Sequence, residues 1–385
     1  VFLIVIVQSR YIKTFNKYIF ALIALLIFTL LLMFGKNYII KGAKEIAQVP
    51  SIRVILTSIA KVAIPLKDHI LQRSLDDQIA LIKSSGSCIF CDLTQVNLTG
   101  IDLKDVDLRY AILIEAELSN TNLNGANLSY TNLLGANLSF ADLLGANLDG
   151  ANLTGTNLQH SNLSEVSLNG VDLRNKDLTG VNFNGVDLSN KDLTGTILRT
   201  HLNYSNLSYA NLSGLDLSDT KFKGAILTYA NLSGSNLKKV DLSNKDLTGT
   251  ILTYANLSGA NLDGVDLSNK DLTGANLTGV DLSNKDLTGT IFVNSNLSEV
   301  NLDGVDLSNK DFSGVNLTGV DLSNKDLTGA NLTGVDLSNK DLTGTIFVNS
   351  NLSEANLDGV DLSNKDLTGA NLTGVDLSNK DLTGT

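Results

Sequence analysis

A leucine or phenylalanine at every fifth position constrains this chain more than any other feature of its sequence. The series runs without exception from Leu93 to Leu198 and, after one four-residue step, from Leu202 to Leu382, which makes 59 positions, five of them Phe. On an α-helix, five residues turn through about 500°, so these side chains would spiral over all faces. On a flat strand, an odd spacing would alternate them between two faces. A period of five therefore fits neither regular element.

The residues around each leucine indicate a chain that turns repeated corners. With the leucine as position i, i−2 is mostly Ala, Val, Thr or Ser, i−1 is mostly Asn or Asp, i+1 is mostly Ser or Thr, and i+2 is often Gly or Asn. Positions i−2 and i share a strand face, and the next inward residue, i+3, points inward as well only if the chain turns near i+1 and i+2. Gly and Asn tolerate the positive φ that such corners can need. Repeated corners of one hand predict a solenoid with polar positions outside.

Units such as ANLSY at 126–130 and VDLSN at 335–339 resemble the pentapeptide-repeat family, whose pattern is A-(D/N)-L-x-x. The resemblance covers residues 88–385. It implies an all-β solenoid, a right-handed quadrilateral β-helix with four pentads per coil. At ~4.8 Å per coil, about 15 coils would make a rod of roughly 70 Å. Some members of the family resemble duplex DNA in width and charge and bind DNA gyrase.

The N-terminal part reads differently from the repeats. Residues 18–34 contain no charge, Gly or Pro, and with the apolar residues up to 40 they reach the ~20 that a spanning helix needs. A signal peptide is the alternative, but its apolar region is typically ~7–15 residues long and precedes a cleavage site that is poor here. We expect a basic N-terminal segment at 1–17, a transmembrane helix at 18–40, a helical linker and N-terminal cap at 41–87 with a stop at Gly86, and the solenoid at 88–385.

The orientation in the membrane stays open at this stage. Three basic residues flank one side of the predicted span and four flank the other, which favours a cytoplasmic solenoid by a single charge. The chain starts with Val rather than Met, so residues 1–7 could end a preceding span, and the basic loop 8–17 would then be cytoplasmic. We therefore expect a membrane protein with one span, or more if the N-terminus is truncated.

Two departures from the repeat pattern concern inward positions. Cys88 and Cys91 occupy an i and an i−2 position of the first coil, and we expect structural cysteines that behave as small hydrophobes, with a disulfide or redox role as the alternative. Ten i−2 positions hold a lysine that follows a corner Asn. We expect each stem to cross the corner and its ammonium to reach outward to the adjacent Asp; an anion-binding lysine array is the alternative. These lysines are Lys176, Lys191, Lys245, Lys270, Lys285, Lys310, Lys325, Lys340, Lys365 and Lys380.

Other departures place apolar residues on the outside. Isoleucines occupy outward i−1 positions, and tyrosines occupy corners, with Tyr209 and Tyr229 one coil apart and expected to stack. An apolar stripe of this kind is a candidate partner surface, with scattered corner residues as the alternative. The candidate residues are Ile197, Tyr204, Tyr209, Ile226, Tyr229, Ile251 and Tyr254.

Charge and composition limit the function. The net charge is −11, split between a basic segment 1–86 (+7) and an acidic remainder (−18), which argues against direct nucleic-acid binding. Three scattered histidines and the absence of nucleotide or zinc motifs indicate no catalytic residues, no cofactor and no metal. We expect a membrane-anchored, non-catalytic scaffold or protein-interaction rod with an unidentified protein partner. A DNA-mimicking solenoid that binds an enzyme such as gyrase is the alternative. The last coil ends at Thr385 without a cap, so either the chain continues or its open edge self-associates end to end.

Overall fold

The computed structural model describes residues 79, 80, 82 and 84–385. The chain divides into two compact units, Val1–Gln78 and Ile79–Thr385, and every described residue belongs to the second. The predicted segment 1–17, the predicted span 18–40 and most of the predicted linker 41–87 lie outside the described residues. Within the part that is described, no helix has the length and apolar character needed to cross a bilayer.

The second unit begins with the end of a helix, α1, whose described residues are 79, 80, 82, 84 and 85. The N–H of Gly86 donates to the carbonyl of Ile82 over 2.9 Å, and the φ of Gly86 is +65°. A glycine often follows a helix because it adopts this left-handed conformation without a Cβ penalty. Ile82 is buried in the core that the repeats form, and Ile79 packs against that core. The helix end thus contacts the repeats, while the capping role of the whole segment stays a prediction.

From Ser87 onwards the chain winds into coils of four pentads. Parallel bridges join i−1 residues that are 20 apart, from Ser87 with Asp107 to Asn351 with Asn371. Each bridge is a single residue long, and two turn residues form the corner that follows each leucine. Each coil therefore has four faces, which we call A, B, C and D after the inward columns that start at Cys88, Leu93, Leu98 and Leu103. Face A is opposite face C, and face B is opposite face D.

Hydrogen bonds satisfy every backbone N–H of a typical pentad, such as 126–130. The i−1 N–H donates to the preceding coil, and the i and i+2 N–H groups donate to the following coil. The i−2 N–H closes the corner by donating to the previous leucine carbonyl. The i+1 N–H donates to the side-chain Oδ1 of Asn127 at i−1, and the five N–O distances lie between 2.7 and 3.1 Å. The Asn or Asp at i−1 thus satisfies the one amide of the pentad that has no backbone acceptor.

The interior of the rod is a stack of leucines with small residues between them. Leu128, for example, is fully buried, and each such side chain contributes roughly 1.5–3 kcal/mol by its burial. Outside, the corner residues at i+2 have a positive φ, from 54° at Asn244 to 77° at Gly374, with Asp219 as an exception. A bulky corner residue covers the corner one coil later, so that a Cβ at Gly249 would collide with the ring of Tyr229. Some bulky corner residues are therefore followed by glycine 20 positions on, and others by an aromatic ring that stacks on them.

One coil has 19 residues instead of 20. Spacings of 19 occur in three successive bridges, Asn182 with His201, Asp187 with Asn206 and Asp192 with Asn211. The missing residue is a corner, because Arg199 at i+1 is followed at once by Thr200 at i−2. Thr200 is buried, and its hydroxyl donates to the carbonyl of Val181. The irregularity predicted between Leu198 and Leu202 is therefore confined to one corner, and the ladder continues on both sides of it.

For six of the ten lysines at i−2, the prediction that the ammonium reaches out to the adjacent Asp is wrong. The Nζ of Lys285 donates to the carbonyl oxygens of Leu262 (2.7 Å) and Val265 (3.4 Å), both in the preceding coil. Asp286, next in sequence, instead accepts the N–H of Thr288 over 2.8 Å. The Asp at i−1 is occupied by the corner amide, so the ammonium turns to backbone carbonyls. Carbonyls are the acceptors for six of the ten, Lys176, Lys191, Lys285, Lys325, Lys340 and Lys380.

Lysine at i−2 takes the place of threonine in the same hydrogen bond. Five threonines at i−2 donate Oγ1 to the leucine carbonyl 23 residues earlier, as Thr290 does to Leu267 over 2.8 Å. Five of the lysines donate Nζ to the leucine carbonyl at the same separation. Partial burial lowers the pKa of Lys176, Lys191 and Lys340. No two of the ten lysines are stacked in adjacent coils, which keeps their like charges apart.

This equivalence predicts opposite effects of two substitutions at one position. Lys285→Thr keeps a donor for the Leu262 carbonyl, so the free energy of unfolding in urea should change by less than ~1 kcal/mol. Lys285→Glu places a carboxylate without a proton against that carbonyl and should lower the free energy of unfolding by about 2 kcal/mol or more. Equal losses in both variants would contradict the assigned hydrogen bond.

Candidate functional site

The seven residues of the predicted partner surface are all exposed, from 46% for Ile251 to 68% for Tyr254. Six of them lie along one side of the rod, on faces A and B and their bounding corners. We call this group the apolar edge: Tyr204 at the corner before face A, Ile226 on face A, Tyr209 and Tyr229 at the corner between A and B, Ile251 on face B, and Tyr254 at the corner after it.

The structure does not bring Ile197 to the apolar edge. Ile197 pairs with Asp177 on face C, which is opposite face A. Its side chain is 49% exposed, but it points away from the tyrosines. In sequence it is only seven residues from Tyr204. In a solenoid, however, each pentad turns the chain by a quarter of a coil, so nearness in sequence does not place residues on one face.

Stacking organises the centre of the apolar edge. The rings of Tyr209 and Tyr229 are nearly parallel, with centroids 4.8 Å apart and an interplanar angle of 2°. This confirms the stack predicted from their spacing of one coil. Both residues have a positive φ of about 60°, a conformation that is costly for residues other than Gly, Asn or Asp. Contact between the rings offsets part of that cost.

The isoleucines of the apolar edge occupy positions where the fold normally needs a cap. At the neighbouring unit 231–233, the N–H of Ser233 donates to the Oδ1 of Asn231 over 3.0 Å. Ile226 and Ile251 stand at the equivalent i−1 positions and offer no acceptor to the amides of Thr228 and Thr253. Each is also a large apolar side chain left about half exposed. Both changes are expected to work against the stability of the solenoid.

Sequence reasoning missed one member, Phe90, of a second aromatic cluster at the same corner. Phe90, Tyr110 and Tyr130 form a continuous stack at the corner between faces A and B, with centroids 5.0 and 5.2 Å apart. The spacing of Tyr110 and Tyr130 was visible in the sequence, but Phe90 precedes the first leucine and is not obviously a corner residue. Phe140 and His160 stack in the same way, 4.9 Å apart, at the corner between faces C and D.

Cys88 and Cys91 form a disulfide, so the preference for free cysteines acting as small hydrophobes is corrected. Both face the interior, as predicted, with exposures of 1% and 5%. The N–H of Cys91 donates to the carbonyl of Cys88, as at every other corner. The two inward positions i and i+3 flank one corner, which brings their Cα atoms to 5.4 Å, within the range that a disulfide spans. The bridge is a structural link across the first corner.

The surroundings of the inward lysines do not suit an anion. A groove beside Lys285 is lined by Asp263, Asp266, Asp281 and Asp286, which give it a negative charge. The ammonium itself is directed at carbonyl oxygens rather than at the groove. Among the described residues 79, 80, 82 and 84–385, no group of three or more His, Cys, Asp and Glu is arranged to hold a metal ion.

The fold and the site therefore place this chain in the class of proteins in which a regular parallel solenoid presents side chains along its faces and corners. The family model for pentapeptide repeats matches the sequence in eight copies, at 87–125, 121–159, 161–199, 205–244, 230–269, 271–309, 311–349 and 350–385. Since these copies cover most of the chain, the protein belongs to the pentapeptide-repeat family.

Several solved structures are similar to this chain. QnrB1, a plasmid-mediated fluoroquinolone resistance protein, is 20% identical over 50% of this chain and 90% of its own, with a TM-score of 0.22. HetL from the cyanobacterium Nostoc sp. strain PCC 7120, a protein involved in heterocyst differentiation regulation, is 25% identical over 80% of this chain and 97% of its own, with a TM-score of 0.12. A pentapeptide repeat protein of the Arabidopsis thaliana thylakoid lumen is 24% identical over 33% and 69%, with a TM-score of 0.11. No curated protein matches the chain.

The missing caps predict that the apolar edge can be made more stable. Ile226→Asn gives the amide of Thr228 an acceptor, and the new carboxamide is also stacked on Asn206 of the preceding coil. We expect the free energy of unfolding in urea to rise by about 1 kcal/mol. The matched control is Asn231→Ile on face B, which removes a cap and should lower it by a similar amount. A loss of stability in Ile226→Asn would show that the isoleucine serves the fold.

Proposed function

We propose that this chain is a membrane-anchored, non-catalytic rod whose apolar edge docks a protein partner. The observation that carries the proposal is the exchange of capping residues for half-exposed isoleucines beside a stacked tyrosine pair. Exposed apolar patches on a soluble rod mark interaction sites, and tyrosines are enriched at protein interfaces because they combine apolar area with a polar tip. Isoleucine also replaces the cap outside the apolar edge, at Ile112, Ile197, Ile291 and Ile346, so the proposal rests on the isoleucines together with the four tyrosines around them.

The anchor is a proposal from the sequence alone. The apolar run 18–40 has the length of a span, and the helix that ends at Gly86 would link it to the repeats. We further propose that the solenoid lies on the cytoplasmic side, which the basic residues after the run favour by one charge. The linker would then hold the rod near the membrane, where its partner would meet the apolar edge.

The DNA-mimicking alternative has one observation in its favour. On face A, aspartates occupy i−1 in five successive coils, Asp246, Asp266, Asp286, Asp306 and Asp326. Hydrogen bonds from the residues at i+1 lower the pKa of the first four, so these are charged at neutral pH. Their spacing of ~4.8 Å is, however, far wider than the ~1.7 Å per charge of duplex DNA. Inhibition of gyrase supercoiling by the chain would favour this alternative, and we expect none.

Photo-crosslinking in membranes tests the proposal. A benzophenone amino acid at Tyr229 should crosslink one defined protein, and the same label at Asn309, four coils further along the same corner, should not. Adding Ile226→Asn to the Tyr229 label should reduce the crosslinked product at least threefold while the fold is kept. The product should stay in the membrane pellet after a carbonate wash, as the anchor requires. Equal crosslinking at both positions would contradict the apolar edge, and release of the uncrosslinked chain by carbonate would contradict the anchor.

A further inference from the structure

Outward-facing cations are concentrated in one part of the rod. Residues 84–385 hold 18 Lys and Arg, of which ten are the inward lysines described above. Of the remaining eight, three are dispersed, and five lie within 41 residues of one another. We call these five the basic corner: Arg199, Lys221, Lys223, Lys238 and Lys239. All five are exposed.

The rod elsewhere neutralises an outward arginine within its own pentad. Arg109 at i+1 forms a bidentate ion pair with Asp107 at i−1, with a shortest distance of 2.7 Å. Arg174 pairs with Asp172 in the same way, at 2.8 Å. An Asp at i−1 therefore both accepts the backbone N–H at i+1 and forms an ion pair with the side chain at i+1.

In the basic corner, the i−1 position is not an aspartate. The i−1 residues that precede Arg199, Lys223 and Lys238 are Ile197, Lys221 and Asn236. In the described part of the chain, none of the five cations lies within 4.0 Å of a carboxylate oxygen. These five exposed cations thus lack the close ion pair that the other outward arginines form, although Arg199, after the hydrogen bonds from Ser218 and Asn236, helps to lower the pKa of Asp216.

The register places these five cations together. Arg199 and Lys238 lie on face C, two coils apart, and Lys239 lies at the corner between C and D. Lys221 and Lys223 lie on face D, where Lys221 forms a bridge with His201. Two coils span about 10 Å along the rod, so the five side chains share one small area on faces C and D. Asp216 on face C and Asp219 at the corner between C and D lie within the same area. Lys223 adjoins the apolar edge, because the N–H of Tyr204 donates to its carbonyl over 2.7 Å.

The charge of this area is opposite in sign to that of the rest of the rod. Residues 193–240 hold five Lys and Arg and two Asp, a local charge of +3, whereas the other described residues hold 13 Lys and Arg and 34 Asp and Glu. The 19-residue coil lies at the same place, because its missing corner is the one that directly follows Arg199. Two independent departures from the repeat therefore coincide here.

We propose that the basic corner binds a short acidic segment of a protein partner. A bilayer surface or a nucleic-acid duplex extends well beyond three coils and would meet the carboxylates of the neighbouring ones, such as Asp177 on face C and Asp241 on face D. A segment with about three carboxylates within ~15 Å matches the local charge of +3, which already includes Asp216 and Asp219, and does not reach the carboxylates of the outer coils. The site lies on the faces C and D that the apolar edge leaves free, and it does not depend on the function proposed for that edge.

Binding of a fluorescent octaglutamate peptide to the full 385-residue chain in non-ionic detergent, followed by fluorescence anisotropy, tests this proposal. The site variant is Lys221→Asn/Lys223→Ser/Lys238→Ser, and the control is Lys104→Ser/Arg109→Ser/Arg174→Ser. Both remove three positive charges, and both introduce residues common at those repeat positions. We expect the site variant to bind about tenfold more weakly and the control less than twofold more weakly. Binding should also weaken as salt rises.

Equal losses in the two triple variants would overturn the proposal, because the net charge rather than the basic corner would then govern binding. Absence of peptide binding would overturn it as well. So would tighter, site-dependent binding to phosphatidylglycerol vesicles or to a 20-base-pair duplex, which would assign the area to lipid or nucleic acid. Circular dichroism checks the fold, and if the site triple variant unfolds, the single variant Lys223→Ser, expected to bind about twofold to threefold more weakly, takes its place against Lys104→Ser.

Discussion

The capped ladder between successive coils is the interaction on which the rest of this structure depends. Three amides of each pentad bond to neighbouring coils, one closes the corner, and the last is satisfied by Asn or Asp at i−1. Because the side chain at i−1 already accepts the corner N–H, lysines at i−2 such as Lys285 donate to backbone carbonyl oxygens instead. For the same reason, an isoleucine at i−1 leaves an amide without its cap, and an arginine at i+1 beside such an isoleucine has no Asp to pair with.

Much of this fold follows from the sequence, since the inward leucines, polar outer positions and glycine-rich corners are all consequences of the five-residue period. The number of pentads per coil was implied only by the family resemblance, because spacing alone does not count the corners in one turn. The number of pentads per coil determines which pentads lie next to each other in successive coils and which face each pentad occupies. The acceptors of Lys285, Leu262 and Val265, lie in the preceding coil, and the separation of Ile197 from Tyr204 depends on which face each pentad occupies. The disulfide at the first corner was left open because either state of Cys88 and Cys91 suits an inward position.

The departures from the repeat are unevenly distributed along the rod. The coils around residues 197–254 carry the 19-residue step, the apolar edge and the basic corner, on different faces of the same few turns. The C-terminal coils instead repeat themselves, with residues 265–304 recurring at 320–359 apart from one change, Val300 to Ala355. That offset is 11 pentads, which moves the copy by a quarter turn and would scramble any face-specific site. Under the proposed function, recognition falls to the middle coils and length to the C-terminal ones.

The central claim is that every coil advances the rod by one strand spacing, including the coil that lacks a residue. Double electron–electron resonance between spin labels on face B tests it directly. Thr94 and Ser233 are 139 residues apart across the 19-residue coil, and Ser233 and Thr373 are 140 residues apart beyond it; both pairs span seven coils. We predict the same distance for both, about 34 Å. Distances that differ by more than about 10 Å, two coil spacings, would contradict the account.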